Sequence, residues 1–176
     1  VLILLNISFI YAHPHLFIES NPSFVFKENK FYCVQMEWIW DELFSDAILM
    51  DCDKNKDLEF DQEELKLVYK DYFINIQDFD FFSILKINGE KNDYDVTGFT
   101  ATIDQKNKKV SYYFNLIPPE LPAKIEGIWL FHNDPTNYTS FGSAKNYPKV
   151  IGIEEINEKF KEEYEYYGLQ FRLVLE

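Results

Sequence analysis

The densest group of metal-binding residue types lies in the twelve-residue segment DKNKDLEFDQEE, from Asp53 to Glu64. Its spacing places side-chain oxygens at the first, third, fifth, ninth and twelfth positions and a backbone carbonyl at the seventh. In order, these donors are Asp53, Asn55, Asp57, Asp61 and Glu64, with Glu59 at the seventh position. Ca²⁺ takes about 6 to 8 oxygen ligands, and loops of EF-hand type supply them at these positions. The segment therefore predicts a Ca²⁺ site.

Leu58 departs from this pattern at the sixth position, where such loops carry glycine. The chain turns sharply there, and a non-glycine residue held at positive φ costs about 1 to 3 kcal/mol. We expect one of three outcomes: weaker Ca²⁺ binding, an adjusted turn, or a loop that keeps its flanking helices without its ion. The alternative to a metal site is an acidic surface turn between two helices.

Three histidines form a second candidate site: His13 and His15 near the start of the sequence, and His132 in WLFHNDPTNY. Imidazole is a favoured ligand of Zn²⁺, Ni²⁺ and Cu²⁺, and an N-terminal histidine can chelate through its amine and ring. Cleavage after Ala12 would make His13 such a residue. We expect a transition-metal site at His13, completed by His15, His132 or Asp134. The alternative is a flexible end and a strand-end histidine with a satisfied ring.

The expectation of cleavage comes from residues 1–12, VLILLNISFIYA. This apolar run is shorter than the roughly 20 residues that span a bilayer, and it ends in a small residue, as signal peptides do. We predict a removed signal peptide at 1–12, a single exported or periplasmic domain at 13–176, and, as the alternative, a buried N-terminal strand.

Composition limits the function classes. A chain of 176 residues with 47% hydrophobic and 18% aromatic residues can bury a full core. A net charge of −13 repels phosphate backbones, so we expect no nucleic-acid partner. Nucleophile motifs, phosphate-binding glycine loops, H-E-x-x-H and C-x-x-C are absent from the sequence, so we predict that the protein is not an enzyme.

Export would permit a disulfide between Cys33 and Cys52, the two cysteines of the chain. Their separation in space does not follow from sequence, so the pairing stays open. Two separate buried thiols are the alternative, because a free cysteine packs as a small hydrophobic residue.

Hydrophobic periodicity predicts an α+β fold with an antiparallel β-sandwich-like core. An EF-hand-like helix pair is inserted at about residues 41–82, and IEEINEKFKEEYEYY, from residue 153, predicts a C-terminal helix. In the strand FYCVQMEWIW, a period of two places Tyr32, Val34, Met36, Trp38 and Trp40 on one face. Further strands are predicted at SFVF, SILKI, DVTGFTATI, KVSYYFNLI, KIEGIWLFH and LQFRLVL.

Four segments, HPHLFIES, MEWIWDELFS, DKNKDLEFDQEEL and HNDPTNY, occur in an order that resembles the domain-of-unknown-function family numbered 1007. The resemblance covers roughly residues 13–141. Members of that family look like periplasmic components of an uncharacterised ABC-type transport system, encoded near nickel, cobalt or zinc transport functions. The resemblance implies metal handling and an inner-membrane metal transporter as partner. It maps the family's H-P-H pair onto His13 and His15, its W-x-x-D-E-x-F-S segment onto Trp38 or Trp40 through Ser45, and its D-P-T onto 134–136.

Together these features predict a periplasmic protein that supports uptake or homeostasis of Zn²⁺, Ni²⁺, Co²⁺ or Cu²⁺ and carries a Ca²⁺ loop. A second hypothesis is a non-catalytic interaction module that docks on a membrane transporter, with the loop purely structural. A redox enzyme that uses the N-terminal histidine is the third.

Overall fold

The computed structural model describes residues 15–153, 159–165 and 168–175. Two β-sheets dominate it, and the helical region follows the third strand. The strands are β1 (Leu16–Ser20), β2 (Ser23–Lys27), β3 (Lys30–Trp40), β4 (Ser83–Ile87), β5 (Glu90–Asn92), β6 (Asp95–Asp104), β7 (Lys109–Ile117), β8 (Gly127–His132), β9 (Thr139–Gly142), β10 (Lys149–Ile151), β11 (Lys159–Glu165) and β12 (Gly168–Val174).

The seven-stranded sheet is built around β3. One edge of β3 pairs with β7, which in turn pairs with β6. The other edge is shared: β2 covers its first half and β1 covers its second half. The short strands β9 and β10 extend this edge by parallel pairing with β1 and β2.

The second sheet has five strands in the order β11-β12-β8-β4-β5, all antiparallel. Side chains of both sheets contribute to one buried cluster, which includes Trp38 and Phe114 from the first sheet and Leu85, Leu130 and Phe171 from the second. The mixed α+β class is therefore as expected. The parallel pairs of β9 and β10 differ from the purely antiparallel arrangement.

Strand β3 keeps the predicted burial on one face from Val34 to Trp40 and departs from it at its start. Val34, Met36, Trp38 and Trp40 are buried, but Tyr32 is 38% exposed. Between β2 and β3 the register shifts, so that two steps along β3 oppose one step along β2. Such a bulge turns its extra residue outward, and the exposed Tyr32 ring lies 3.3 Å from the Lys27 ammonium.

The helical region begins with α1 (Glu42–Cys52), capped by the Asp41 carboxylate, which accepts from Phe44 N. A loop then leads to α2 (Gln62–Val68), which continues without a break into a π-helical turn (Tyr69–Phe73). A 3₁₀ segment (Ile74–Phe82), interrupted by a kink at residues 79–81, completes the connection to β4. No helix among the described residues is both long and apolar enough to cross a membrane.

The predicted C-terminal helix is wrong where the structure describes it. Residues 159–165 form β11, which pairs antiparallel with β12 along its whole length. The helical prediction depended partly on Phe160 and Tyr164, and a spacing of four residues fits the helical and the strand period equally. Pairing with the free edge of β12 decides between them, because tertiary context overrides local propensity. The first part of that predicted helix, like the predicted signal peptide at 1–12, lies outside the described residues.

Candidate metal site

The acidic loop connects the end of α1 to the start of α2. Asp53 ends α1, and its backbone N–H donates to the Leu49 carbonyl. Asp61 begins α2, where its carboxylate accepts from the N–H groups of Glu63 and Glu64, while Glu64 Oε2 accepts from Asp61 N. This reciprocal capping box fixes the last four positions of the loop.

Two carboxylates of the loop are buried, those of Asp53 and Glu64, with 5% and 4% of each residue exposed. The Glu64 carboxylate has hydrogen-bond donors: its Oε1 accepts from Lys54 N at 2.8 Å and from Asn55 N at 3.2 Å. The Asp53 carboxylate is only half satisfied. Its Oδ2 accepts from Leu58 N at 3.3 Å, but its Oδ1 is buried with no hydrogen-bond partner. A buried carboxylate oxygen without a donor is unfavourable, because it has lost its water and gained nothing in return.

The middle of the loop is curved by side chains that bond to the backbone two residues further on. Asn55 Oδ1 accepts from Asp57 N, and Asp57 Oδ1 accepts from Glu59 N, both at 2.9 Å. These are Asx turns. The Glu59 side chain points elsewhere and accepts from Gln105 Nε2 in the turn between β6 and β7. The loop pattern uses only the backbone carbonyl of Glu59 as a ligand, so the outward position of its carboxylate does not conflict with the prediction.

Leu58 takes the conformation that the sequence pattern demands of a glycine. Its φ is 63°, and Lys56 two residues earlier has φ 62°. The sharp turn is thus retained with a leucine in the left-handed region, and its N–H points at the Asp53 carboxylate.

In the part of the chain that the structure describes, no three His, Cys, Asp or Glu side chains are close enough together to hold an ion as they stand. The loop carboxylates instead accept from backbone N–H groups around the unpartnered Asp53 oxygen.

His132 lies in the core. Its ring is fully buried, with Nε2 2.9 Å from Ser20 Oγ and Nδ1 3.1 Å from Ser83 Oγ, and it stacks on Phe141. Burial lowers the pKa of His132 to about 3, so the ring is neutral. Because both nitrogens face hydroxyl groups, this placement does not support His132 as a metal ligand.

Asp134 is a turn residue. Its Oδ1 accepts from the N–H and the hydroxyl of Thr136, and its Oδ2 accepts from Thr139 N at 2.9 Å. Both oxygens are therefore engaged in holding the turn before β9.

His15 lies on the surface, where its backbone N–H donates to the backbone carbonyl of Tyr138 and its ring contacts the Tyr138 ring. Ser20, which bonds to His132, is five residues further along β1. That separation in a strand is roughly 16 Å. The structure therefore does not bring His15 and His132 together, and His13 lies outside the described residues.

Residues of the W-x-x-D-E-x-F-S segment build the core beside the loop. Trp38 and Trp40 are almost fully buried, and the Trp40 ring lies 4.1 Å from the Phe44 ring. Ser45 Oγ accepts from Val110 N, which connects α1 to β7. Their role in this structure is packing.

Cys33 and Cys52 are buried and not bonded to each other, as the alternative of separate thiols predicts. Burial raises the pKa of both thiols to about 11, so they are protonated at neutral pH.

Sequence reasoning missed a cavity of about 620 Å³ between the π-helical turn and the segment from β5 to β6. Its walls come from two segments rich in aromatic residues and aspartate, YKDYFINIQDFDF and NDYDVTGF. Composition of this kind is the available signal, but only the fold shows that the two segments face each other.

Two β-sheets, with an acidic loop between two helices, define the chain as an α+β protein with a candidate cation site. It belongs to the family of proteins of unknown function designated DUF1007, whose profile matches residues 1–163. An uncharacterized protein of Haemophilus influenzae is 31% identical over 144 residues, which cover 80% of this chain and 68% of that protein. These matches confirm the family resemblance.

Proposed function

We propose that the protein binds a divalent metal ion in the cell envelope, with Ca²⁺ at the loop from Asp53 to Glu64. One observation carries the proposal: Asp53 Oδ1 is a buried carboxylate oxygen that no described donor satisfies. It lies at the first ligand position, beside a backbone turn at Leu58 that already has the required positive φ.

The donor chemistry of the loop favours a hard cation. The loop offers carboxylate, amide and carbonyl oxygens, with no sulfur and no imidazole. Such sets suit Ca²⁺ and Mg²⁺, whereas Zn²⁺, Ni²⁺ and Cu²⁺ favour nitrogen and sulfur. Ca²⁺ tolerates irregular coordination better than Mg²⁺, which demands near-octahedral geometry. Asp53, Asn55, Asp57, Glu59, Asp61 and Glu64 would hold the ion.

Hydrogen bonds within the loop fix the positions of several of the proposed ligands. Glu64 fastens Lys54 and Asn55, at the start of the loop, to the first turn of α2. The Asx turns keep Asn55 and Asp57 curved toward the backbone. When bound, Ca²⁺ supplies the positive charge that compensates the carboxylates.

The test is a calorimetric titration of Ca²⁺ into chelator-treated protein. Modules outside the cytosol bind at roughly 10⁻⁴ to 10⁻³ M, and we expect that range. Asp53→Asn should weaken binding about tenfold or more, since it removes the unpaired charge. Asp46→Asn is the matched control, because Asp46 is an exposed α1 carboxylate outside the loop. Equal affinities for the two variants, or no saturable heat, would refute the proposal.

A role in uptake or homeostasis of Zn²⁺, Ni²⁺, Co²⁺ or Cu²⁺ rests on His13 and His15 alone, since His132 and Asp134 are engaged in the fold. Titration of the chain begun at His13, beside the same chain extended by one residue, tests it. Binding that survives the extension would exclude a site on the free amine.

The second candidate function is docking on a membrane transporter, and the exposed face of α1 favours it. Leu43 and Met50 are 68% and 78% exposed, and seven residues separate them, so they share one face of the helix. By contrast, Trp38 and Trp40 are buried, so no apolar patch forms there. Leu43→Gln with Met50→Gln should abolish membrane association in cell fractionation and leave Ca²⁺ affinity unchanged. Unchanged fractionation would refute docking through this face.

A further inference from the structure

The 620 Å³ cavity has the size and walls of a small-molecule site. Sites for small ligands typically measure about 300 to 1,000 Å³ and combine apolar walls with a few polar groups. One wall is the π-helical turn with the 3₁₀ segment, and the opposite wall runs from Lys91 to Phe99.

Aromatic rings form the inner surface. The Phe73 and Phe99 rings stack with centroids 4.1 Å apart, Tyr69 lies 5.5 Å from Phe99, and Phe81 lies 5.1 Å from Phe73. Tyr94 also lines the cavity. The faces of such rings are electron-rich and attract cations, most strongly where water is excluded.

The rim is acidic. Asp80, Asp93 and Asp95 line it, and Lys91 is the one cationic side chain among the described lining residues. The Lys91 ammonium lies 3.3 Å from the Asp80 carboxylate, and both side chains are more than half exposed. An ammonium of the chain itself therefore already occupies part of this rim. Exposed pairs of this kind are weak, so an external ammonium can compete for the carboxylate.

The backbone beside the rim is held in an unusual conformation. Asp80, Phe81 and Phe82 have φ values of 51°, 45° and 47°, three consecutive left-handed residues that carry side chains. Packing of the two phenylalanines and hydrogen bonds from Tyr94 Oη to the carbonyls of Asp80 and Ser83 keep them there. Strain of this type concentrates at ligand-binding walls, as do π-helical turns.

We propose that this cavity binds a small organic cation that carries a primary or quaternary ammonium group. The ammonium is held by the aspartates of the rim and lies against the aromatic wall, where Tyr69 is 42% exposed. The cavity disfavours anions, because three carboxylates outnumber its single lysine. This site is separate from the acidic loop, and the inference does not depend on Ca²⁺ binding.

The first test uses choline as a quaternary ammonium and 3,3-dimethylbutanol as its neutral isostere. Each is titrated into ¹⁵N-labelled protein in excess chelator, at constant ionic strength, and the amide signals of Thr97, Gly98 and Phe99 are followed. n-Butylammonium with n-butanol provides the same comparison for a primary amine. Saturable shifts from the cations alone support the site. Equal shifts from the neutral compounds, or no saturation, would overturn it.

The second test assigns binding to the cavity. Asp80→Asn combined with Asp95→Asn should weaken choline binding about fivefold or more, and asparagine tolerates the left-handed conformation at position 80. The matched control is Asp46→Asn with Asp78→Asn, which removes the same charge from exposed positions outside the cavity. Phe99→Leu keeps an apolar wall, removes the ring and should also weaken choline binding. Binding that falls equally in the control pair, or in no variant, would contradict the proposal.

Discussion

Asp53 and His132 are both buried polar residues, but their surroundings give them different roles. Both ring nitrogens of His132 face serine hydroxyls, whereas Asp53 Oδ1 has no partner. A satisfied buried group stabilises one conformation of the core, while an unsatisfied one favours any ligand that supplies the missing interaction. The sequence made both residues candidates for metal binding, and their hydrogen bonds separate them.

The first prediction concerns the pH dependence that His132 causes. Its pKa is lowered from 6.5 to about 3 in the folded state, so the unfolded chain binds more protons between these values. Stability from the neutral ring is therefore complete above pH 6.5 and is lost as the pH falls toward 3, by up to about 1.4 kcal/mol per pH unit. His132→Gln does not titrate there. The difference in free energy of unfolding between wild type and His132→Gln, measured by urea unfolding, should therefore decrease from pH 7 to pH 4.

A gap that stays constant over this range would show that His132 is not buried as a neutral ring. The same variant also tests the histidine site, because its Zn²⁺ affinity should equal that of the wild type. A loss of Zn²⁺ binding would return His132 to the set of ligands.

The second prediction separates folding from binding at Leu58. Its φ is 63°. We expect the loop to hold this conformation before an ion binds, so that the cost of the left-handed leucine arises when the protein folds. Leu58→Gly should therefore raise the free energy of unfolding by about 1 kcal/mol, with little change in Ca²⁺ affinity. Urea unfolding and calorimetry measure the two quantities. A tenfold gain in affinity would instead mean that the free loop does not hold Leu58 in this conformation.

Among the elements, β3 shows how one inserted residue changes the burial that sequence predicts. The period of two places Tyr32 inside, but the bulge against β2 reverses Phe31 and Tyr32. The third prediction is that Phe31→Ala costs about 3 to 5 kcal/mol of stability and Tyr32→Ala costs less than about 1 kcal/mol. Urea unfolding of the two variants measures both. If Tyr32→Ala costs more stability than Phe31→Ala, the regular alternation holds in β3 and the bulge is contradicted.

The elements also show which parts of the fold follow from sequence. Local signals were sufficient for two helices within about residues 41–82 and for most strands, because hydrophobic periodicity depends on nearby residues. Local signals were not sufficient to predict which strands pair. Contacts between distant segments determine β11, the parallel pairs of β9 and β10, and the cavity. At the candidate site, the spacing of the loop donors could be recognised from the sequence. The burial of His132 could not be predicted in this way, because it depends on the packing of distant strands.

On the scale of the whole molecule, the chain has a net charge of −13 and one hydrophobic core that both sheets share. The excess negative charge opposes compaction, and the helices that flank the acidic loop pack on that core through Ile48 and Val68. An ion bound between these helices would therefore act on the stability of the whole fold, since ligands that bind only the folded state shift unfolding by mass action.

The fourth prediction follows from this linkage. Ca²⁺ at about ten times its Kd should stabilise the fold by roughly 1.4 kcal/mol and raise Tm by several degrees in differential scanning calorimetry. General screening of the negative charge would also raise Tm, so the control is Asp53→Asn, which has almost the same net charge. If Ca²⁺ raises Tm equally in wild type and in Asp53→Asn, the gain comes from screening. A gain confined to proteins with an intact Asp53 assigns it to the loop, because the unpartnered oxygen of Asp53 lies there.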